Sequence, residues 1–308
     1  LPSFLLLLPI RRPRRRRRIH PPAPSSNHGE LPMTYSGQTA WITGASSGIG
    51  EALCKGFSAG GARVVLSARN EPELRRVRDE CIAAGANSAN LQVLPLDVLD
   101  YDAFPGAVQA VLQAFGRIDM LINNAGTSQR SFCVDTDMQV YRTLFELNVI
   151  AQIALTKAVL PVMVEQGAGH ILVTASVAGK VGAPLRTGYC AAKHAVMGFF
   201  DALRTEVAYL GIKVTTIVPG FISTNIGANA LTGKGEATGK QDADIESGMD
   251  LTECAAVILQ GIADGVEEIA VGSGPEMGLL ELKRQDPTGT FRLMESIAAD
   301  TRAKLQTD

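Results

Sequence analysis

The sequence predicts an α/β chain: a doubly wound parallel sheet of about seven strands in a single domain. Two observations carry this. From Thr39 onward, short apolar runs alternate with longer stretches of helical periodicity, the pattern of repeated βαβ units. The apolar runs are also uncharged in their middles and rich in Val, Ile and Leu, as strands buried on both faces must be. With 308 residues, 46% of them hydrophobic, the chain has ample material for one large core.

Taken in order, the expected strands cover residues 39–43, 63–68, 91–96, 120–123, 170–174, 213–218 and 268–271. Helices fill the intervals. One opens at Gly48, and a second starts at Asn70, where Glu73 completes the spacing of a capping box. The others span 101–115, 137–166, 187–209 and 252–264. No long linker interrupts residues 37–275, which are read as one domain. Within it, residues 221–250 are rich in Gly, Asn, Thr and Lys and lack periodicity, as expected of a substrate loop or lid. Residues 276–308 read as a C-terminal tail without assigned order.

Residues 1–36 read as a disordered or non-native leader. They contain a Pro- and Arg-rich run, with Arg11, Arg12 and Arg14 to Arg18, that cannot build a core. The apolar stretch around Leu5–Leu8 is far shorter than the roughly 20 residues of a membrane span. Its arginines follow the apolar run rather than precede it, which is not the order of a secretory signal. The functional alternatives for this segment are a basic arm that tethers nucleic acid or membrane, a clipped membrane anchor or a targeting peptide. Net charge is -2 overall, and residues 33–308, with 22 basic and 30 acidic side chains, are acidic. Nucleic acid is therefore not expected as a partner. Five scattered cysteines, without metal-ligand spacing, fit reduced thiols, a cytoplasmic location and no metal site. Association with a membrane is left open.

The first strand runs into Gly44-Ala45-Ser46-Ser47-Gly48-Ile49-Gly50. Glycines at a strand-to-helix junction let the backbone approach a pyrophosphate, and the helix N-terminus adds free N–H groups and a positive dipole end. This makes the fold Rossmann-type. The second strand ends in Ser67-Ala68-Arg69-Asn70, with no acid where an NAD site would bond the ribose 2′-hydroxyl. A forked guanidinium at Arg69 suits a 2′-phosphate, so the expected cofactor is NADP(H). The other reading leaves Arg69 solvated and gives the ribose to Glu71.

Tyr189 and Lys193 are four residues apart, on one face of an expected helix. A nearby ammonium would lower the phenol pKa and make Tyr189 a usable proton donor and acceptor. Ser176 follows a strand end, where ligands of open parallel sheets bind, and its hydroxyl can hold an oxygen that gains charge. It could equally be a turn-capping serine.

Together these residues resemble the short-chain dehydrogenase/reductase family over roughly residues 37–272. The resemblance rests on Thr43-Gly44, Gly48-Ile49-Gly50, Asn123-Asn124-Ala125-Gly126, Asn148, Ser176, Tyr189, Lys193 and Pro219-Gly220, in family order. It implies that Asn148 is a fourth catalytic residue, holding a water that links Lys193 to proton exchange. It implies adenine contact at Asp97 and Val98, and the adenosine ribose beside Asn124, Ala125 and Gly126. The nicotinamide would lie near Pro219, Gly220 and Thr224, with its ribose bonded by Tyr189 and Lys193. Ser46 and Ser47 would line the phosphate turn. Runs such as Gly126-Thr127-Ser128-Gln129-Arg130-Ser131 resemble the branch of dehydrogenase/reductase member seven, which includes membrane-bound enzymes acting on apolar carbonyls.

The expectation is an NADP(H)-dependent oxidoreductase that interconverts a small, largely apolar carbonyl and its alcohol. Family members commonly form homodimers or homotetramers, and the same is expected here. Two alternatives stand: an NAD-dependent alcohol dehydrogenase, and a catalytically silent nucleotide-binding sensor or scaffold. The intact Asn148, Ser176, Tyr189 and Lys193 set argues against the latter.

Overall fold

The computed structural model describes residues 35–304. The leader therefore lies outside the described residues, apart from Tyr35 and Ser36. Seven strands form one sheet: β1 (Thr39–Thr43), β2 (Arg63–Ser67), β3 (Leu91–Val93), β4 (Met120–Asn123), β5 (Gly169–Thr174), β6 (Ile212–Pro219) and β7 (Glu268–Val271). Their order is β3-β2-β1-β4-β5-β6-β7, and every pairing is parallel. Beyond β3 the pairing continues as single bonds, Leu94 N–H to Leu66 O and Leu96 N–H to Ala68 O. The expected strand to residue 96 is thus shorter in regular form but still docked.

Alternation along each strand explains why these segments read as apolar throughout. Ala40 and Ile42 of β1, with Met120 and Ile122 of β4, enter one core. Trp41 and Leu121, between them, enter the other. Helices α1 (Gly48–Ala59), α2 (Glu71–Ala83) and α8 (Leu251–Ala263) cover the first face through Leu53, Phe57, Leu74 and Ile258. Helices α3 (Phe104–Phe115), α5 (Ala151–Gln166) and α6 (Thr187–Val207) cover the second through Val108, Val159 and Phe200. The capping box at α2 is half formed. Asn70 Oδ1 accepts from Glu73 N–H at 3.3 Å, but the Glu73 carboxylate pairs with Arg76 instead of reaching back.

Three segments differ from expectation. The helix over residues 137–166 is two helices, α4 (Met138–Phe145) and α5, joined by a π turn at Glu146–Ile150. This run is long and apolar enough to cross a membrane by length and composition. Leu144, Leu155, Val159 and Met163 along it are fully or almost fully buried, and the last three pack in the core. Residues 221–250 contain a short helix, α7 (Ala243–Glu246), and are pinned to the chain after β4. Leu231 N–H donates to Ser128 O, and Arg130 N–H donates to Leu231 O. The tail is helical over α9 (Gly278–Gln285) and α10 (Pro287–Lys304). Asp286-Pro287 was its legible signal: Asp286 Oδ1 accepts from Gly289 N–H at 2.8 Å, with proline in the first turn.

Phe200 is fully buried against Phe199 and the second core. Phe200→Ala should cost about 3–5 kcal/mol of stability. The chain has one tryptophan, Trp41, fully buried with its indole N–H on Ser67 Oγ. Its fluorescence during urea unfolding measures the loss directly.

Candidate active site

Strand order reverses between β1 and β4, so the connections leaving their carboxyl ends diverge and open a crevice there. The Thr43 hydroxyl ties the two strands together at this edge. Its Oγ1 accepts from Asn124 N–H at 3.0 Å and Ala125 N–H at 3.1 Å. Asn124 Nδ2 donates back to Thr43 O, and Thr174 Oγ1 donates to Asn124 Oδ1, which brings in β5. Asn124 is therefore a structural tie as well as part of the crevice wall.

A cavity of about 1550 Å³ occupies this edge. Ligand sites for drug-sized molecules are about 300–1,000 Å³, so this one has room for a dinucleotide with a second small molecule. Gly44, Ser46, Ser47, Gly48 and Ile49 line one end, with Arg69, Asp97 and Val98. Asn124, Ala125 and Gly126 line the middle, and Asn148, Ser176, Tyr189, Lys193, Pro219, Gly220 and Thr224 line the other part of the wall. Of the expected site residues only Gly50 is absent from the wall. A Cβ there would collide with the Gly44 carbonyl, so Gly50 serves the close approach of α1 to the turn. Gly44 itself has φ +65°, the left-handed conformation the turn requires.

The N-terminus of α1 lies on the cavity wall at Ser47, Gly48 and Ile49, where first-turn N–H groups lack intrahelical partners. Arg69 is exposed on the cavity wall and has no ion-pair or hydrogen-bond partner among the described residues. The Glu71 carboxylate is engaged by Arg75. The cavity thus joins a glycine cradle, a helix N-terminus and an unpaired guanidinium, a donor set that fits a phosphorylated dinucleotide. Asp97 is exposed and makes a local turn, accepting from Leu99 N–H at 3.0 Å.

Ser176, Tyr189 and Lys193 line the same part of the cavity. Ser176 caps the short turn Val177–Gly179, accepting from Ala178 N–H at 3.1 Å. The capping role therefore coexists with exposure to the cavity. Burial raises the pKa of the Tyr189 phenol above its ordinary value, opposed by hydrogen bonding to Ser176 and by the positive charge of Arg130. Lys193 is almost fully buried, and burial depresses its ammonium to about 8. Its Nζ donates to Thr174 O at 2.7 Å and lies 5.7 Å from the Tyr189 ring centre. The ammonium is docked on a strand-end carbonyl, and Arg130 and Arg186 are among the charges that lower the Tyr189 pKa. One of three ammonium N–H groups is used, leaving two beside the cavity.

Asn148 is fully buried in the π turn. Its Oδ1 accepts from Thr127 N–H at 3.1 Å, and its Nδ2 donates to Thr127 O at 3.0 Å. That reciprocal pair fixes the amide and holds the 124–127 strip on the cavity floor. π turns of this kind recur at functional sites.

Sequence reasoning missed several wall residues. Arg130 and Arg186 line the cavity and share Asp242, which comes from the 221–250 segment. Leu293, Met294 and Ile297 of α10 also line it, so the tail contributes to the site. Only assembly brings these groups to one wall. No group of His, Cys, Asp and Glu suited to a metal ion occurs among the described residues.

The model described as "short chain dehydrogenase" matches residues 38–235. The chain is similar to dehydrogenase/reductase SDR family member 7 of Homo sapiens: 44% identical over 250 residues, 80% of this chain and 74% of that protein. It is similar to dehydrogenase/reductase SDR family protein 7-like of Anopheles gambiae, 40% identical over 265 residues, 85% and 84% of the two chains. Among solved structures it resembles a short-chain dehydrogenase/reductase from Burkholderia phymatum in complex with NAD. That match has TM-score 0.72 and 28% identity, covering 82% of this chain and 94% of that one. A metagenomic short-chain oxidoreductase in complex with NADP matches with TM-score 0.56 and 34% identity, covering 60% and 82%.

Because its folded pKa is depressed from 10.5, Lys193 binds fewer protons folded than unfolded between pH about 8 and 10.5. Its contribution to stability is present above the unfolded value and lost as pH falls through the folded one. Lys193→Met should therefore be more stable than the parent near neutral pH, with the advantage shrinking as pH rises through that window. Urea midpoints of both proteins at about pH 7 and about pH 9.5 test the sign. A constant difference would mean that the ammonium is not depressed.

Proposed function

Because the chain belongs to the short-chain dehydrogenase/reductase family of oxidoreductases, we propose that it is an NADP(H)-dependent reductase of a small, largely apolar carbonyl, with Tyr189 as the proton donor. The observation that carries this reading is one continuous cavity joining the glycine turn and Arg69 to Ser176, Tyr189 and Lys193. A bound nicotinamide cofactor supplies the hydride. Arg69 receives the 2′-phosphate, and Ser46, Ser47 and the α1 N-terminus receive the pyrophosphate. Asp97 and Val98 meet the adenine, Asn124 to Gly126 the adenosine ribose, and Pro219, Gly220 and Thr224 the nicotinamide end.

Ser176 donates to the substrate oxygen and holds it as charge develops. Tyr189 then delivers its proton to that oxygen. Burial keeps the phenol protonated at neutral pH, which suits an acid in the reductive direction. Hydrogen bonding to Ser176 and the charges of Arg130 and Arg186 limit how far its acidity is weakened. The two remaining Lys193 N–H groups hold the cofactor ribose, and Asn148 supports the water through which Tyr189 is reprotonated.

Val181, Leu185, Phe221, Ile226 and Leu231 give the substrate end an apolar wall. Reduced thiols at all five cysteines suit a reducing, cytoplasmic-type compartment. A homodimer or homotetramer built through α5 and α6 would cover apolar side chains such as Ile150 and Val164, exposed on this face of the single chain. Sedimentation as a monomer only would reject that assembly.

Tyr189→Phe should retain NADPH binding and lose at least about a hundredfold in turnover, measured as NADPH oxidation against a carbonyl panel. Retained turnover would remove Tyr189 from the mechanism. Arg69→Ala should reduce the NADPH-over-NADH preference by about tenfold or more, the scale of one lost charge-assisted pair. An unchanged preference would return the 2′-phosphate to another group and favour the NAD-dependent reading.

A further inference from the structure

Resting on the reductase reading, we propose that the substrate carries an anionic group, such as a carboxylate, held by Arg186 on the cavity wall beside Tyr189, with Arg130 adding positive charge next to it. The two guanidinium groups arrive from different elements. Arg130 follows β4, and Arg186 caps the start of α6, three residues before Tyr189. Both arginines lie close enough to Tyr189 for their charge to act on its phenol. Both arginines line the cavity.

The cluster is short of negative charge. Asp242 is the one carboxylate paired with them among the described residues, and both guanidinium groups address its Oδ2. Arg130 is otherwise satisfied, with Nη1 donating to Ser128 Oγ and Gln129 O. Arg186 is not. Its Nη1 donates to Pro184 O at 3.3 Å and its Nη2 to Asp242 at 3.3 Å, while its Nε has no partner among the described residues. Its side chain is only 21% exposed. Burial and the neighbouring Arg130 both disfavour its charged form, with Asp242 the opposing influence. A largely buried cation facing a cavity with donors to spare is a site for an anion.

Backbone geometry at this place is also specialised. Leu185, the residue before Arg186, has φ +63°, the only non-glycine residue in the left-handed region among those described. The conformation is held by Ser131 N–H donating to Leu185 O at 3.0 Å. Such strain persists where the surroundings impose it, and it sets the direction in which α6 begins. Val181, Leu185, Phe221, Ile226 and Leu231 supply apolar surface on the same wall, with Asn225, Asn229 and Asp244 among its polar groups, so the ligand class is a largely apolar carbonyl compound with one carboxylate.

The test uses a matched pair, p-carboxybenzaldehyde and p-tolualdehyde, each reduced with one NADPH oxidised per carbonyl. For the parent protein kcat/KM should favour the acid by about tenfold or more, the scale of a charge-assisted hydrogen bond. Arg186→Gln should bring the ratio near one, and Arg186→Lys should restore part of it. Asp242→Asn should raise the ratio, because it removes the competing carboxylate. If Asp242 and the arginines only latch the 221–250 segment, these variants would lower both rates together at a constant ratio, and the proposal fails. A parent ratio near one also overturns it. Calorimetric binding of the two aldehydes to the protein–NADP complex separates the two levels of inference. Failure of turnover with tighter binding of the acid, lost in Arg186→Gln, would sink the reductase reading and keep the anion site. Equal binding would sink the site alone.

Discussion

The hydroxyl of Thr43 holds together the place on which everything else in this protein depends. It accepts from two consecutive backbone N–H groups just past β4, and Asn124 returns the connection to β1. A parallel sheet whose strand order reverses must leave a crevice there, because the connecting chains leave in opposite directions. The crevice is useful only if its two walls keep their register. Those short side-chain bonds, extended to β5 through Thr174, provide that register. The glycine turn hangs from one wall, and the chain leading to Ser176, Tyr189 and Lys193 hangs from the other.

Burial then sets the chemistry. Tyr189 and Lys193 lose hydration together, and each is driven toward its neutral form. For the phenol that means a proton held at neutral pH; for the amine, a depressed affinity. The opposing influences come from polar groups around the pair: a hydroxyl after β5, a carbonyl at the end of β5, the Arg130 guanidinium after β4 and the Arg186 guanidinium at the start of α6. Burial is the largest influence on both Tyr189 and Lys193.

Much of this was legible in the chain. Central strands of four or five residues, buried on both faces, could hardly be anything but apolar, and Thr39–Thr43 and Met120–Asn123 stand where the pattern placed them; the edge strand Glu268–Val271 alternates buried and exposed residues. Gly44 and Gly50 declared the turn because no side chain fits at either position. Tyr189 and Lys193 share a helix, so helical periodicity alone put them on one face.

Other features were decided only by tertiary structure. The π turn at Glu146–Ile150 has no compositional mark; it exists where Asn148 must reach Thr127. Asp242 is 112 residues from Arg130 and 56 from Arg186, and nothing local to any of them specifies their meeting. The direction in which Lys193 points depends on the carbonyl of Thr174, which another strand supplies. Local sequence determines hydrophobic period, turn chemistry and residues one helical turn apart, because those follow from backbone geometry. Charge balance, burial and the partners of a buried cation belong to the assembled walls, because each is a sum over groups that only folding brings together.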